Sequence, residues 1–175
     1  LDDNALGLKH RTEVSEDFFT MWKDMLTVYT ATDRTDKYIY EKEMLAVYHF
    51  GLALQQRYFK LGNDNIIENS DDPNSDVVKF DVNNNVKSLI GNFSNYLDFI
   101  NDEKLFSEEG KQLISQAIDK YFKELLSIYP DGDYRELNNK IDLMLKKTQS
   151  ESIRKSLVNL KSLIEPKLKK FDKFE

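Results

Sequence analysis

The side chains able to do chemistry are few, and their spacing suits little of it. His10 and His49 are the two histidines, and cysteine is absent. Helical proteins build metal centres from Glu and His on facing helices. Here neither histidine begins an HExxH or closes an ExxH, so the zinc-hydrolase and diiron-carboxylate patterns are missing. His10, Glu13 and Glu16 would share a face only in a helix that starts early, and a solvated first turn accounts for them more simply. His49 lies in the most apolar run of the chain, Met44 to Gln56, and is its one titratable residue. A hydrogen-bonded histidine in the core or at its edge is expected there, ahead of a ligand or a general base. Asp72, Asn74 and Asp76 reproduce the first three ligand positions of an EF-hand loop, but Val77 takes the place of the turn glycine and Asn83 that of the bidentate glutamate. No metal is expected.

Covalent and phosphate chemistry find no better footing. There is no GxSxG, no cysteine nucleophile, no GxxxxGK followed by Ser or Thr, and no GxGxxG. Glu41 and Glu43, or Glu108 and Glu109, are too close in sequence to face one another as an acid/base pair on a helix. Asn92-Phe93-Ser94 matches the glycosylation sequon inside an amphipathic stripe, where chance explains it. The chain is therefore read as a non-enzymatic protein with no catalytic, cofactor-binding or metal-binding residues.

Two features stand above background. Phe18, Phe19, Trp22, Tyr29, Tyr38, Tyr40, Tyr48, Phe50, Tyr58 and Phe59 crowd the first third of the chain, more aromatics than one inward stripe uses. Large amphipathic rings are what protein interfaces use as anchors, and Trp22, Tyr29, Tyr40, Tyr48 and Tyr58 form the candidate interaction face. The second feature is charge. Residues 146–175 hold nine Lys or Arg against four acids, a local +5 in a chain of net charge −6. Helix C-termini favour cations, and a basic last helix can lie across acidic neighbours. The functional reading of the same asymmetry is a basic end that meets an anionic surface.

These side chains must be positioned by helices. Gly and Pro are scarce, and the apolar residues recur at 3.6-residue spacing. The expected fold is all-α: one globular bundle of about six helices, at about 15–31, 36–61, 83–101, 107–129, 133–148 and 150–165, around the apolar second helix. The first helix carries Val14, Phe18, Met21, Trp22, Met25 and Tyr29 as one inward stripe, and the second stops at Gly62. Ser15, Ser107 and Ser150 are expected caps, and Asp133 with Glu136 resembles a capping box. The helix over 107–129 buries Leu113, Ile114, Ala117, Ile118, Tyr121, Phe122, Leu125 and Ile128. Residues 62–81 break every periodicity and are read as one long acidic loop, pinned by Val77, Val78 and Phe80.

Residues 1–175 are read as a single domain. The thirteen-residue uncharged run is short of the roughly 18–20 residues a transmembrane helix needs, so no spanning segment is expected. The acid excess argues against nucleic acid as the ligand. The start at Leu1 reads as processed or truncated and leaves cytoplasmic and extracytoplasmic compartments both open. What remains is a soluble, acidic, protein-binding module of accessory, regulatory or sensor type. The alternative is a small-ligand sensor or carrier with an apolar pocket between helices.

Overall fold

In the computed structural model the described residues are 16–18, 20–25, 27 and 40–171, and all regular structure among them is helical. Residues 16–18, 20–25 and 27 belong to a first helix, α1. There follow α2 (Glu41–Glu68), α3 (Asp76–Ile100), a 3-10 turn (Glu103–Leu105), α4 (Glu108–Ala117), a π turn (Ile118–Phe122), α5 (Lys123–Ile128), α6 (Arg135–Lys147) and α7 (Glu151–Leu168). The all-α expectation holds. Contacts divide the chain into two units, Leu1–Asn85 and Val86–Glu175, with the division falling inside α3.

In the first unit α2 buries Met44, Leu45, Tyr48, Gly51, Leu52 and Leu54, the middle of the apolar run. Its end differs from the expected 61. The helix continues through Gly62 to Glu68, and α3 already begins at Asp76, so the supposed loop over 62–81 shrinks to residues 69–75. A glycine inside a helix costs only about 1 kcal/mol against Ala, and local bonds offset it. Lys60 pairs with Asp64 one turn on at 2.7 Å, and Asn85 donates to the side-chain oxygen of buried Asn63 across the hairpin at 2.9 Å. The turn residues stand where Asp, Pro and Asn cluster. Asp72 accepts from the Asn74 backbone N–H at 3.1 Å, and the Ser75 hydroxyl accepts from that of Val78 at 3.3 Å, which starts α3. Of the three residues expected to pin the loop, only Val78 is buried, while Val77 and Phe80 are exposed.

In the second unit α4, the π turn and α5 form one continuous rod against α7, and α7 also packs on α6. Ser107 caps α4 by accepting from Gly110 N–H at 3.1 Å, and Ser150 caps α7 by accepting from Ile153 N–H at 3.4 Å. The capping box at Asp133 does not form. Its carboxylate instead takes both Nε and Nη2 of Arg135, at 3.0 and 2.8 Å, and stays below its ordinary pKa because of that hydrogen bond. Tyr134 next to it is fully buried and donates its hydroxyl to the Tyr129 carbonyl at 2.6 Å; burial, with Tyr129 adding to it, raises its pKa. Gly132 in this turn sits in close approach: a Cβ there would lie 2.8 Å from Ile90 Cδ1 and 3.1 Å from the Tyr134 ring, so any larger residue makes those side chains shift.

The π turn has a packing cause. Ile114, Ile118, Phe122 and Leu126 are all buried and recur every four residues, a spacing that walks about 40° round an unbroken α-helix at each step. One extra residue in a wide turn takes up that drift. It sends Phe122 fully inward, with its ring 5.0 Å from Phe93 and 6.0 Å from Tyr96. Tyr121, expected inward as well, is left only partly buried, and Ile128 is exposed.

Polar staples close the unit. Glu103 accepts from the Thr148 hydroxyl and, at 3.0 Å, from the Gln149 backbone N–H. The Ser115 and Ser156 hydroxyls meet at 2.6 Å between α4 and α7.

Candidate functional site

The first helix offers α2 two kinds of residue. Phe18 and Trp22 are one turn apart on α1, and both meet α2. The Phe18 ring stands edge-on to Phe50, with centroids 5.5 Å apart and planes at 77°. Trp22 stands edge-on to Tyr48 at 4.0 Å and 81°. Met21 and Met25, also one turn apart, were expected to share that inward stripe. They are instead 51% and 40% exposed. Phe50 is itself 55% exposed. Two methionines beside an aromatic pair therefore form an apolar surface carried by α1 and α2.

Of the five expected interface residues, the structure brings together Trp22 and Tyr48. Tyr48 is buried and belongs to the core of its unit, while Trp22 is half-buried. Tyr40, the residue before α2, is 59% exposed. Tyr58 is half-buried, edge-on to Phe59 at 5.3 Å. It lies 18 residues beyond Tyr40, a rise of about 27 Å along a helix, so the two do not share one patch. Tyr29 lies outside the described residues, as do His10, Glu13, Ser15, Phe19 and Tyr38. Phe50, Met21 and Met25 were missed as surface residues. The phase of α1 offers a signal for Met21 alone: with Phe18 and Trp22 inward it lies about 80° from their midline, whereas Met25 lies about 40° from it.

His49, beside Phe50, is half-buried, and burial lowers its pKa to about 4. The sign of the pH effect follows. The unfolded chain takes up a proton near pH 6.5 that the folded chain refuses until about pH 4. The contribution of neutral His49 is thus complete above pH 6.5 and is lost as pH falls from there towards 4. The full amount is on the order of 3 kcal/mol. His49→Gln is expected to stay folded at pH 7 and to lose less stability than the wild type between pH 7 and 5, measured as the shift in urea midpoint. Equal shifts in the two proteins would remove His49 from the account.

The calcium motif does not take a loop shape. Asp76 opens α3, so Val77 to Asn83, the positions of the second half of an EF-hand loop, are helical. Among the described residues no group of three or more His, Asp or Glu is arranged to hold a metal ion. In the sequon, the Ser94 hydroxyl is buried and donates to the Ile90 carbonyl at 3.0 Å. In the second unit an open groove of about 360 Å³ runs between the π turn and α7. It has an apolar floor of Ile118 and Leu160 and carries Asp119, Lys123, Asn159 and Ser162 among its lining residues.

Much of the basic end is engaged within its own unit. Lys161 pairs with Asp142 and Lys170 with Asp131; Lys167 donates to the Pro130 carbonyl at 3.4 Å. No helix among the described residues is long and apolar enough to cross a membrane. Comparison of the chain with known protein families, with curated proteins and with solved structures returned no match.

Proposed function

We propose that this chain is a non-enzymatic protein-binding module whose contact face is the apolar surface of α1 and α2. The observation that carries this reading is the exposure of Phe50, Met21 and Met25 beside Phe18. Contiguous apolar surface rimmed by polar residues marks interaction sites. Methionine adapts to partners of differing shape, and aromatic residues supply the contact area of interface anchors. Tyr40 and the half-buried Trp22 extend the aromatic content of the same unit.

The test is a quantitative pull-down from extract of the source cells with two baits, the wild type and a Met21→Asp, Phe50→Asp variant. Both changed side chains are more than half exposed, and Phe50→Asp gives up the edge contact with Phe18, worth about 1 kcal/mol, so the variant is expected to stay folded and melt slightly lower. A defined set of proteins retained by the wild type and reduced at least tenfold on the variant supports the reading. Identical sets on both baits refute it.

The groove at the π turn favours a second reading, a small-ligand carrier. Its lining mixes an apolar floor with Asp119 and Lys123, which suits a small amphipathic molecule. Native mass spectrometry of protein purified from the source cells would show the added mass of such a ligand, and Leu160→Trp would abolish it.

A further inference from the structure

The acid excess of the chain is confined to one unit. Residues 1–85 hold nine Lys or Arg against sixteen Asp or Glu, a net −7, whereas residues 86–175 hold sixteen against fifteen, a net +1. Within the acidic unit the tip of the α2–α3 hairpin is the densest part. The Asn63–Asn85 hydrogen bond fixes the register of the two helices, and four residues nearer the turn Ile67 comes level with Asp81. The tip thus presents three exposed apolar side chains, Ile67, Val77 and Phe80, at 39%, 70% and 65% exposure. Around them stand Glu68, Asp71, Asp72, Asp76 and Asp81, all exposed, with Lys79 the one cation of the segment. None of these five carboxylates forms an ion pair with the described residues.

The turn between α6 and α7 has the opposite character. Behind it, Leu143, one turn before the end of α6, and Val158, about two turns into α7, are exposed, at 56% and 51%. Lys146 and Lys147 close α6, and Arg154 and Lys155 lie in the first turns of α7, all exposed, with Glu151 the one acid between them. Lys146, Lys147 and Lys155 have no acidic partner among the described residues, although Lys140, Lys161 and Lys170 of the same unit do. An apolar tip rimmed by unpaired carboxylates is complementary in charge to a turn rimmed by unpaired ammonium groups, and each helix behind that turn offers one exposed apolar side chain.

We propose that the tip of the α2–α3 hairpin in one copy of this chain docks on the α6–α7 turn of a second copy, head to tail. The contact is heterologous, with different surfaces meeting. Phe80 and Val77 serve as the apolar anchors against Leu143 and Val158. The acid and base rims steer the encounter and fix its polarity, because tip-to-tip and turn-to-turn pairings bring like charges together. This inference stands apart from the α1–α2 face, and neither needs the other.

The test is sedimentation equilibrium from about 10 µM to about 1 mM protein, a range that reports weak association. The wild type is expected to gain mass with concentration at about 0.05 M salt and to associate roughly tenfold more weakly at about 0.5 M, where the screening length is short. The paired substitutions Asp76→Lys with Asp81→Lys bring the tip to zero net charge, and Lys147→Glu with Lys155→Glu turn the basic rim weakly acidic, so each variant keeps one of the two faces and loses the other. Each alone is expected to be monomeric, and an equal mixture of the two to form a 1:1 pair. Phe80→Ser, a neutral change, weakens association at both salt concentrations, and Phe50→Asp leaves it unchanged.

A wild type that stays monomeric throughout overturns the proposal, as does a mixture of reversed variants that fails to pair. Loss of self-association on Phe50→Asp would place the contact on α1 and α2 and overturn it too. A monomer that instead binds anionic vesicles through Lys147 and Lys155 would assign the basic turn to a lipid surface and remove it from this contact.

Discussion

Leu52→Asp abolishes the cooperative melting of the unit that contains α2, whereas Leu52→Met leaves it nearly intact. Leu52 has no exposed surface and sits at the centre of the buried run from Met44 to Leu54. The substitution removes an apolar side chain and places a carboxylate where water does not reach. An unpaired buried charge costs several kcal/mol even after the group neutralises itself by taking up a proton. Loss of the leucine adds roughly 2–5 kcal/mol. The sum rivals the roughly 5–15 kcal/mol by which a domain is stable. Met conserves volume, with a cost below about 1.5 kcal/mol. Circular dichroism at rising temperature reads both, and a Leu52→Asp protein melting with the wild type would show that α2 is not seated as described.

Phe122→Ala is expected to cost about 3–5 kcal/mol, lowering the melting temperature by about 10–15 °C for a chain of this size. Tyr121→Ala is expected to cost under about 1 kcal/mol. The residues are neighbours of similar bulk, and the contrast comes from the π turn alone. Phe122 is fully buried, edge-on to Phe93 and tilted to Tyr96, while Tyr121 keeps part of its surface in solvent with Lys120 over its ring. Had the helix run straight, the drift of its apolar positions would divide the burden more evenly between the two. Comparable losses from both substitutions would argue for a regular α-helix through 118–122.

The contrast also marks what the sequence makes legible. The helices over 107–129, 133–148 and 150–165 were readable to within three residues at each end, because their apolar positions follow a 3.6-residue period and Ser107 and Ser150 announce their starts. The junction of α2 and α3 was not. Gly62, Asn63, Asp64 and Asn65 carry turn propensity, yet the helix passes through them because Asn63 finds Asn85 across the hairpin, a contact 22 residues away that no local pattern reveals. Propensity decided only where the tertiary contacts ended, at 69–75. For the candidate site, composition showed that the first unit holds an excess of aromatics but not which of them face outward. Tyr48 and Phe50, two residues apart, end respectively in the core and in solvent. That outcome depends on the phase of α1 against α2, which no single helix encodes.

The wide turn at Ile118–Phe122 has a further consequence, for how this chain tolerates changes of length. A π turn is what an α-helix becomes when it absorbs one residue while the turns on either side keep their facing. Asp119 and Lys120, both exposed, are the residues it holds outward. Deleting either should restore a regular helix with Ile114 and Ala117 still inward before the junction and Leu125 and Leu126 still inward after it. A single-residue deletion a turn earlier or later would rotate half of the rod by about 100°. The rod therefore contains one place where an insertion or deletion leaves its core facing unchanged, and length variation among relatives of this chain should collect there.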